Sequence, residues 1–147
     1  IDTDLELLLP ESYIANISER MHLYRELDNI ETSEALENFR KMLRDRFGEL
    51  PSEAEELLNV VRLRWLAMQT GVEKIILKKN TLIAYFVSDP DALFYRSKVF
   101  ETIIGNIQRN PRLFRMRQDN DRLSFRVNNT GSIDATFRIL EQLNSGE

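Results

Sequence analysis

Apolar residues change their spacing along the chain, and each change marks an element. In "TDLELLLP", Leu5, Leu7 and Leu9 recur at every second position, the period of an extended segment. The period lengthens at Asn16. Asn16 with Glu19 three positions on has the form of a capping box, and Ile17, Met21, Tyr24 and Leu27 then fall on one helical face. A second helix is predicted from Thr32 or Ser33, with Leu36, Phe39, Leu43 and Phe47 as its stripe. Gly48 ends it, because glycine accepts the left-handed conformation that a helix terminus often needs. Leu50-Pro51 forces an extended turn, and Ser52 with Glu55 makes another capping box. The third helix runs to about Thr70 and stops at Gly71. Ala54, Leu57, Leu58, Val60, Val61, Trp65, Leu66 and Met68 cover much of its circumference, which predicts the spine of the core.

Behind Gly71 the pattern switches to period two and repeats. "VEKIILKKNTLIAYFV" predicts strand, tight turn at Lys79-Asn80, strand. A helix follows, with Phe100, Ile103, Ile104 and Ile107 at helical spacing, ending at Asn110-Pro111. "RLFRMRQDNDRLSFRV" repeats the hairpin, with Leu123, Phe125 and Val127 facing one way and Arg122, Ser124 and Arg126 the other. A last helix from Ser132 to about Leu143 closes the chain. The order ααα-ββα-ββα predicts an α+β fold: three N-terminal helices, then two ββα units forming a four-stranded, mostly antiparallel sheet. One domain is expected over 1–147, with a helical part at 1–71 and the ββα-ββα part at 72–147.

Composition narrows the chemistry. The 147 residues are 42% hydrophobic and 30% charged, enough to bury a core, and a net charge of -4 demands neither nucleic acid nor membrane. Cysteine is absent, which excludes a disulfide framework and suits a reducing cytoplasm. No apolar run approaches the roughly 18 residues of a membrane span. The start "IDTDLELLLPE" has no Met and carries acids, so the chain reads as a piece of a longer protein. Residues 1–71 hold 8 Lys/Arg against 15 Asp/Glu, whereas 72–147 hold 12 against 9, an acidic front and a mildly basic back.

Catalytic signals are weak throughout. His22 is the single histidine and finds no second ligand of the usual kind. The acid pairs Asp2/Asp4, Glu55/Glu56 and Asp119/Asp121 are ordinary for solvated surfaces and turns. Glycines 48, 71, 105, 131 and 146 are isolated, and no phosphate loop is formed. No catalytic, cofactor or metal residue is expected. Arg109, Arg112, Arg115, Arg117, Arg122 and Arg126 gather around the second hairpin with Phe114 and Phe125 interleaved, a pattern that can hold single-stranded nucleic acid. The same alternation arises when one sheet face is wet and long Arg stems cover apolar surface. A sequence pI of 5.2 weakens the electrostatic case for nucleic acid.

The densest charge lies at "LRDRFGELPSEAEELL", a stiff corner between two helices. There, "DRFGELP" at Asp45–Pro51 resembles the D-R-F-G-x-L-P signature in the C-terminal domain of the bacterial transcription-repair coupling factor family. "IDTDLELLLPESYI", "ERMHLYREL" and "RLRWLAMQTGVEKI" extend the resemblance, strongly over residues 1–75 and in outline beyond. The resemblance implies a non-catalytic regulatory domain of a larger ATP- and Mg-dependent DNA translocase, which releases RNA polymerase stalled at a lesion and recruits excision repair. The isolated piece is expected to be cytoplasmic, monomeric and without a cofactor of its own. Such a piece packs on the N-terminal repair-recruiting module of the same chain and masks the surface for the damage-recognition ATPase. Family acids on the helix entering the corner contact arginines of that module. Asp45 matches one of them. Three residues earlier the family can carry Glu where this chain has Met42, so the contact is expected to be partly apolar. Arg44 and Glu49 complete the expected partner-binding set. The alternatives are a nucleic-acid module using the second hairpin, and a structural tail.

Overall fold

A computed structural model describes residues 1–120 and 122–145. Asp121 of the predicted acid pair and Gly146 therefore lie outside the described residues. The chain forms two compact units, a helical one from Glu6 to Arg62 and a sheet unit made of Ile1–Leu5 and the chain from Leu63 onward.

The helical unit contains α1 (Ile17–Asp28), α2 (Ser33–Phe47) and the first part of α3 (Ser52–Thr70). Asn16 and Thr32 cap α1 and α2, their side chains accepting from Glu19 N at 2.9 Å and Ala35 N at 3.0 Å. Each bond satisfies a backbone donor that a helix start leaves open. The α2 stripe is seated as its spacing predicts, with Leu36, Phe39 and Leu43 buried and Phe47 half-buried. The α1 stripe is seated only in its second half, with Leu27 buried and Tyr24 half-buried. Ile17 is 63% exposed and Met21 42%, while Leu23 and Leu27 are buried. Two i,i+4 pairs competed for the inner face, and Leu23/Leu27 also leaves Tyr24 placed to accept from Leu9 N at 2.8 Å. The predicted capping box at Ser52 does not form either. Ser52 is already helical, and its hydroxyl donates to Glu53 at 2.8 Å, while the Glu55 carboxylate turns to Arg40.

The sheet unit holds five strands in the order β1-β2-β3-β5-β4: β1 (Asp2–Thr3), β2 (Val72–Lys78), β3 (Thr81–Phe86), β4 (Arg115–Asp119) and β5 (Arg122–Asn128). Four strands were expected. The fifth is β1, paired parallel to Ile76–Leu77, and two residues are too few to show a period. Its anchors are polar: Asp2 meets Lys78 Nζ at 3.1 Å and Asp4 accepts from Lys79 N at 2.9 Å. The β2–β3 hairpin turns at Lys79-Asn80, both at positive φ (51° and 62°), the geometry that a two-residue turn needs to match strand twist. Gly71 at the end of α3 has φ 69°, and a Cβ there would run into the Phe94 ring.

One face of the sheet is buried. Leu82, Ala84 and Phe86 alternate inward on β3, and Phe125 and Val127 on β5. α4 (Lys98–Arg109) and α5 (Ile133–Leu143) contribute Ile103, Ile107, Ile133, Leu140 and Leu143 to the same core. Phe125 packs on Phe86 and Phe114 with ring centroids 5.6 Å apart in both pairs. A 3₁₀ turn at Leu93–Arg96, absent from the sequence expectation, leads into α4, and Ser97 caps that helix. In the second part of α3, Met68 is 78% exposed and Trp65 and Leu66 are only half-buried, so the apolar circumference read from the sequence is not all core.

Candidate partner-binding corner

The corner between α2 and α3 is held from below by apolar packing. Leu43 is fully buried, and the Phe47 ring meets the Tyr13 ring edge-on at 5.9 Å. Gly48 donates its N–H to Arg44 O at 2.9 Å and adopts φ 91°, ψ -173°. This is not the left-handed helical conformation expected of it, but a region open essentially to glycine alone. The Tyr13 hydroxyl donates to Gly48 O at 2.7 Å, with Leu43 O 3.2 Å away. Burial, reinforced by the charges of Glu49 and Glu55, holds the Tyr13 hydroxyl above its ordinary pKa. Pro51 O then accepts from Ala54 N and Glu55 N at 3.0 and 3.1 Å, which starts α3.

Most charges around this frame are internally matched. Arg40 grips Glu55 through Nη2 at 2.6 Å and Nε at 3.2 Å, a forked pair whose hydrogen bond raises the guanidinium pKa further. The Ser52 hydroxyl lowers the Glu53 carboxyl. Arg46 is paired with Glu19, lies over the Phe47 ring at 4.8 Å and reaches the Met42 sulfur at 3.9 Å. Arg44, Asp45 and Glu49 differ. They are exposed, and among the described residues none takes part in an ion pair. Met42 is half-buried beside them. The four residues predicted for partner binding therefore fall on one corner, three exposed charges of both signs and a half-buried thioether.

Tyr13 and Glu19 organise this corner, and sequence reading missed both in that role. No spacing rule links position 13 to 48 or 19 to 46. His22 is exposed, and among the described residues no group of three His, Asp or Glu side chains could hold a metal. No described helix is long and apolar enough to cross a membrane. Around the second hairpin Arg109, Arg112, Arg115, Arg117 and Arg126 are exposed and Arg122 is half-buried against Glu73, but Phe114 and Phe125 are 3% and 0% exposed. Those rings face the core and offer no bases a platform, which removes the aromatic half of the nucleic-acid alternative.

Fold and corner together define an α+β chain with a helical unit, whose corner carries exposed charge outside any ion pair among the described residues, and a ββα-ββα sheet unit. The chain belongs to the TRCF domain family, whose model matches residues 3–97. Among curated relatives, the transcription-repair-coupling factor of Escherichia coli is 36% identical over 77 residues, covering 50% of this chain and 7% of its own length. That of Rickettsia bellii is 26% identical over 111 residues, covering 76% of this chain and 10% of its own length. The chain thus spans about a tenth of the relatives it matches. A crystal structure of the C-terminal domain of transcription-repair coupling factor superposes with a TM-score of 0.74 at 15% identity, covering 97% of this chain and 89% of that one. That likeness extends the shared fold to the ββα-ββα part beyond residue 97.

Proposed function

We propose that this chain is a non-catalytic regulatory domain of a transcription-coupled repair translocase, and that its α2–α3 corner masks the repair-recruiting module of the parent protein. By this reading the parent uses ATP to move on DNA and to dislodge stalled RNA polymerase. The domain meanwhile keeps the surface for the damage-recognition ATPase covered until release. One observation carries the reading: Arg40 and Arg46 are spent on ion pairs within the chain, whereas Arg44, Asp45 and Glu49 are exposed and form no ion pair among the described residues. Family membership supports the setting. A mask has to open, so its contacts should be worth only a few kcal/mol. Polar rims with a small apolar centre, as at Met42, suit interfaces between domains.

The test is Asp45→Arg in the full-length parent. Exposed ion pairs are worth about 0.5–1 kcal/mol, and reversal adds repulsion. A change of about 1.4 kcal/mol moves the closed-to-open ratio tenfold. Binding of the damage-recognition ATPase should strengthen, while the melting temperature of the 147-residue chain stays the same. Unchanged binding would remove Asp45 from the interface, and a lowered melt would make it structural.

A further inference from the structure

The face of the sheet turned away from its core carries a separate set of charges. Arg115 and Arg117 on β4 and Arg126 on β5 are exposed, and with Ile83, Tyr85 and Ser124 they line a shallow depression of about 280 Å³. Arg115 lies directly across from Arg126 in the strand register. Like charges directly opposite on a sheet destabilise it. Among the described residues neither has an ion partner, and Arg117 reaches only Asp119, at 3.5 Å. The arginine stems can cover Ile83 and Tyr85, but the opposed charges carry a repulsive cost that a ligand of opposite charge would relieve.

The backbone beside these arginines is open as well. β4 is the last strand of the sheet, all five of its residues are exposed, and no described element pairs with its outer side. An open edge is a template for an added strand. The opposite edge shows what this sheet accepts. There the acidic segment holding Asp2 and Asp4 adds to β2, one carboxylate on Lys78 and the other on the Lys79 N–H.

We infer that the β4 edge is a docking site for an extended acidic segment of a partner protein, which adds as a sixth strand with its carboxylates on Arg115, Arg117 and Arg126. Repulsion between arginine-lined edges disfavours the competing pairing of two identical copies. Single-stranded nucleic acid fits less well. Stacking needs a free ring, and Tyr85 is covered by the Arg122 guanidinium at 5.2 Å from its centroid, with Lys74 at 6.0 Å. This inference is independent of the masking corner and of Asp45.

The experiment uses the whole chain and a fluorescein-labelled peptide of about ten residues, alternating glutamate and valine, read by anisotropy. Arg115→Glu with Arg117→Glu should weaken binding about tenfold or more, and Lys98→Glu, on exposed α4 surface, should leave it unchanged. A peptide of equal charge with proline at the valine positions, unable to complete a ladder, should bind more weakly. Four results would overturn the inference: no binding of the alternating peptide, indifference to the β4 reversal, equal binding of the proline peptide, or stronger binding of an oligothymidylate. Circular dichroism of the double variant guards against a lost hairpin; if it is lost, Arg126→Glu on the better-paired β5 carries the same expectation.

Discussion

The α2–α3 corner and the open face of the sheet are both crowded with charge and use it in opposite ways. At the corner, acids and bases interlock. Arg40 holds Glu55 and Arg46 holds Glu19, leaving a small residue of unmatched groups on a rigid support. On the sheet, arginines face each other across β4 and β5, with one acid among the described residues of the hairpin, Asp119. The corner is a stabilised device whose spare charges can be offered elsewhere. The sheet face sets like charges opposite one another on a concentrated positive surface. Net charge could not distinguish these cases, because pairing, and not composition, decides whether a charge is available.

The largest effect should come from breaking the rigid support. Gly48 sits at φ 91°, ψ -173°, and an added Cβ would meet nothing within 4 Å. The cost of Gly48→Val is therefore backbone strain alone, about 1–3 kcal/mol. Urea denaturation should show it, and an unchanged midpoint would mean that the corner relaxes freely and is no rigid platform.

A smaller effect is expected at the hydroxyl that ties the corner together. Tyr13→Phe loses the bond to Gly48 O and should cost about 1 kcal/mol at neutral pH. The folded chain also holds this proton more tightly than the unfolded one, since the hydroxyl is raised above 10.0. Its share of the stability is whole below about pH 10 and is lost as pH rises through the raised folded value. Melts across that range should fall less steeply for Tyr13→Phe than for the native chain. The slope that remains belongs in part to Tyr95, raised likewise by burial and Glu73.

The smallest effect has the opposite sign. Arg115→Glu places an acid across from Arg126 and should stabilise the chain by about 0.2–1 kcal/mol. Destabilisation would show that the arginine face is already satisfied, and the contrast with the corner would fail.

Much of this molecule was legible in advance where a short-range rule applied. Asn16, Thr32 and Ser132 cap their helices, Lys79-Asn80 turns the first hairpin, and Leu36, Phe39 and Leu43 point inward, because each depends on neighbours within a few positions. On α1 the expected face held at Leu27 and failed at Ile17 and Met21, because two apolar pairs of equal spacing were present and only packing could choose Leu23/Leu27 over Ile17/Met21. The strand at Asp2–Thr3 exists because Ile76–Leu77, far along the chain, offers an edge.

The same division governs the candidate sites. The amino-acid sequence by itself determined the corner: a glycine stop, a proline restart and the charges of Arg44, Asp45 and Glu49 around them are local facts, whereas Asp45 and Met42 were singled out for partner binding by the family resemblance. Which of those charges remained available was decided by the tertiary structure. Glu19 reaches Arg46 and Tyr13 reaches Gly48 across separations of 27 and 35 residues. The arginine-rich face of the second hairpin was legible in the alternation, but the opposition of Arg115 and Arg126 and the open edge beside them came only with strand register and sheet order. Local rules act through backbone conformation and side-chain spacing, whereas charge pairing depends on distances that exist only once the chain has folded.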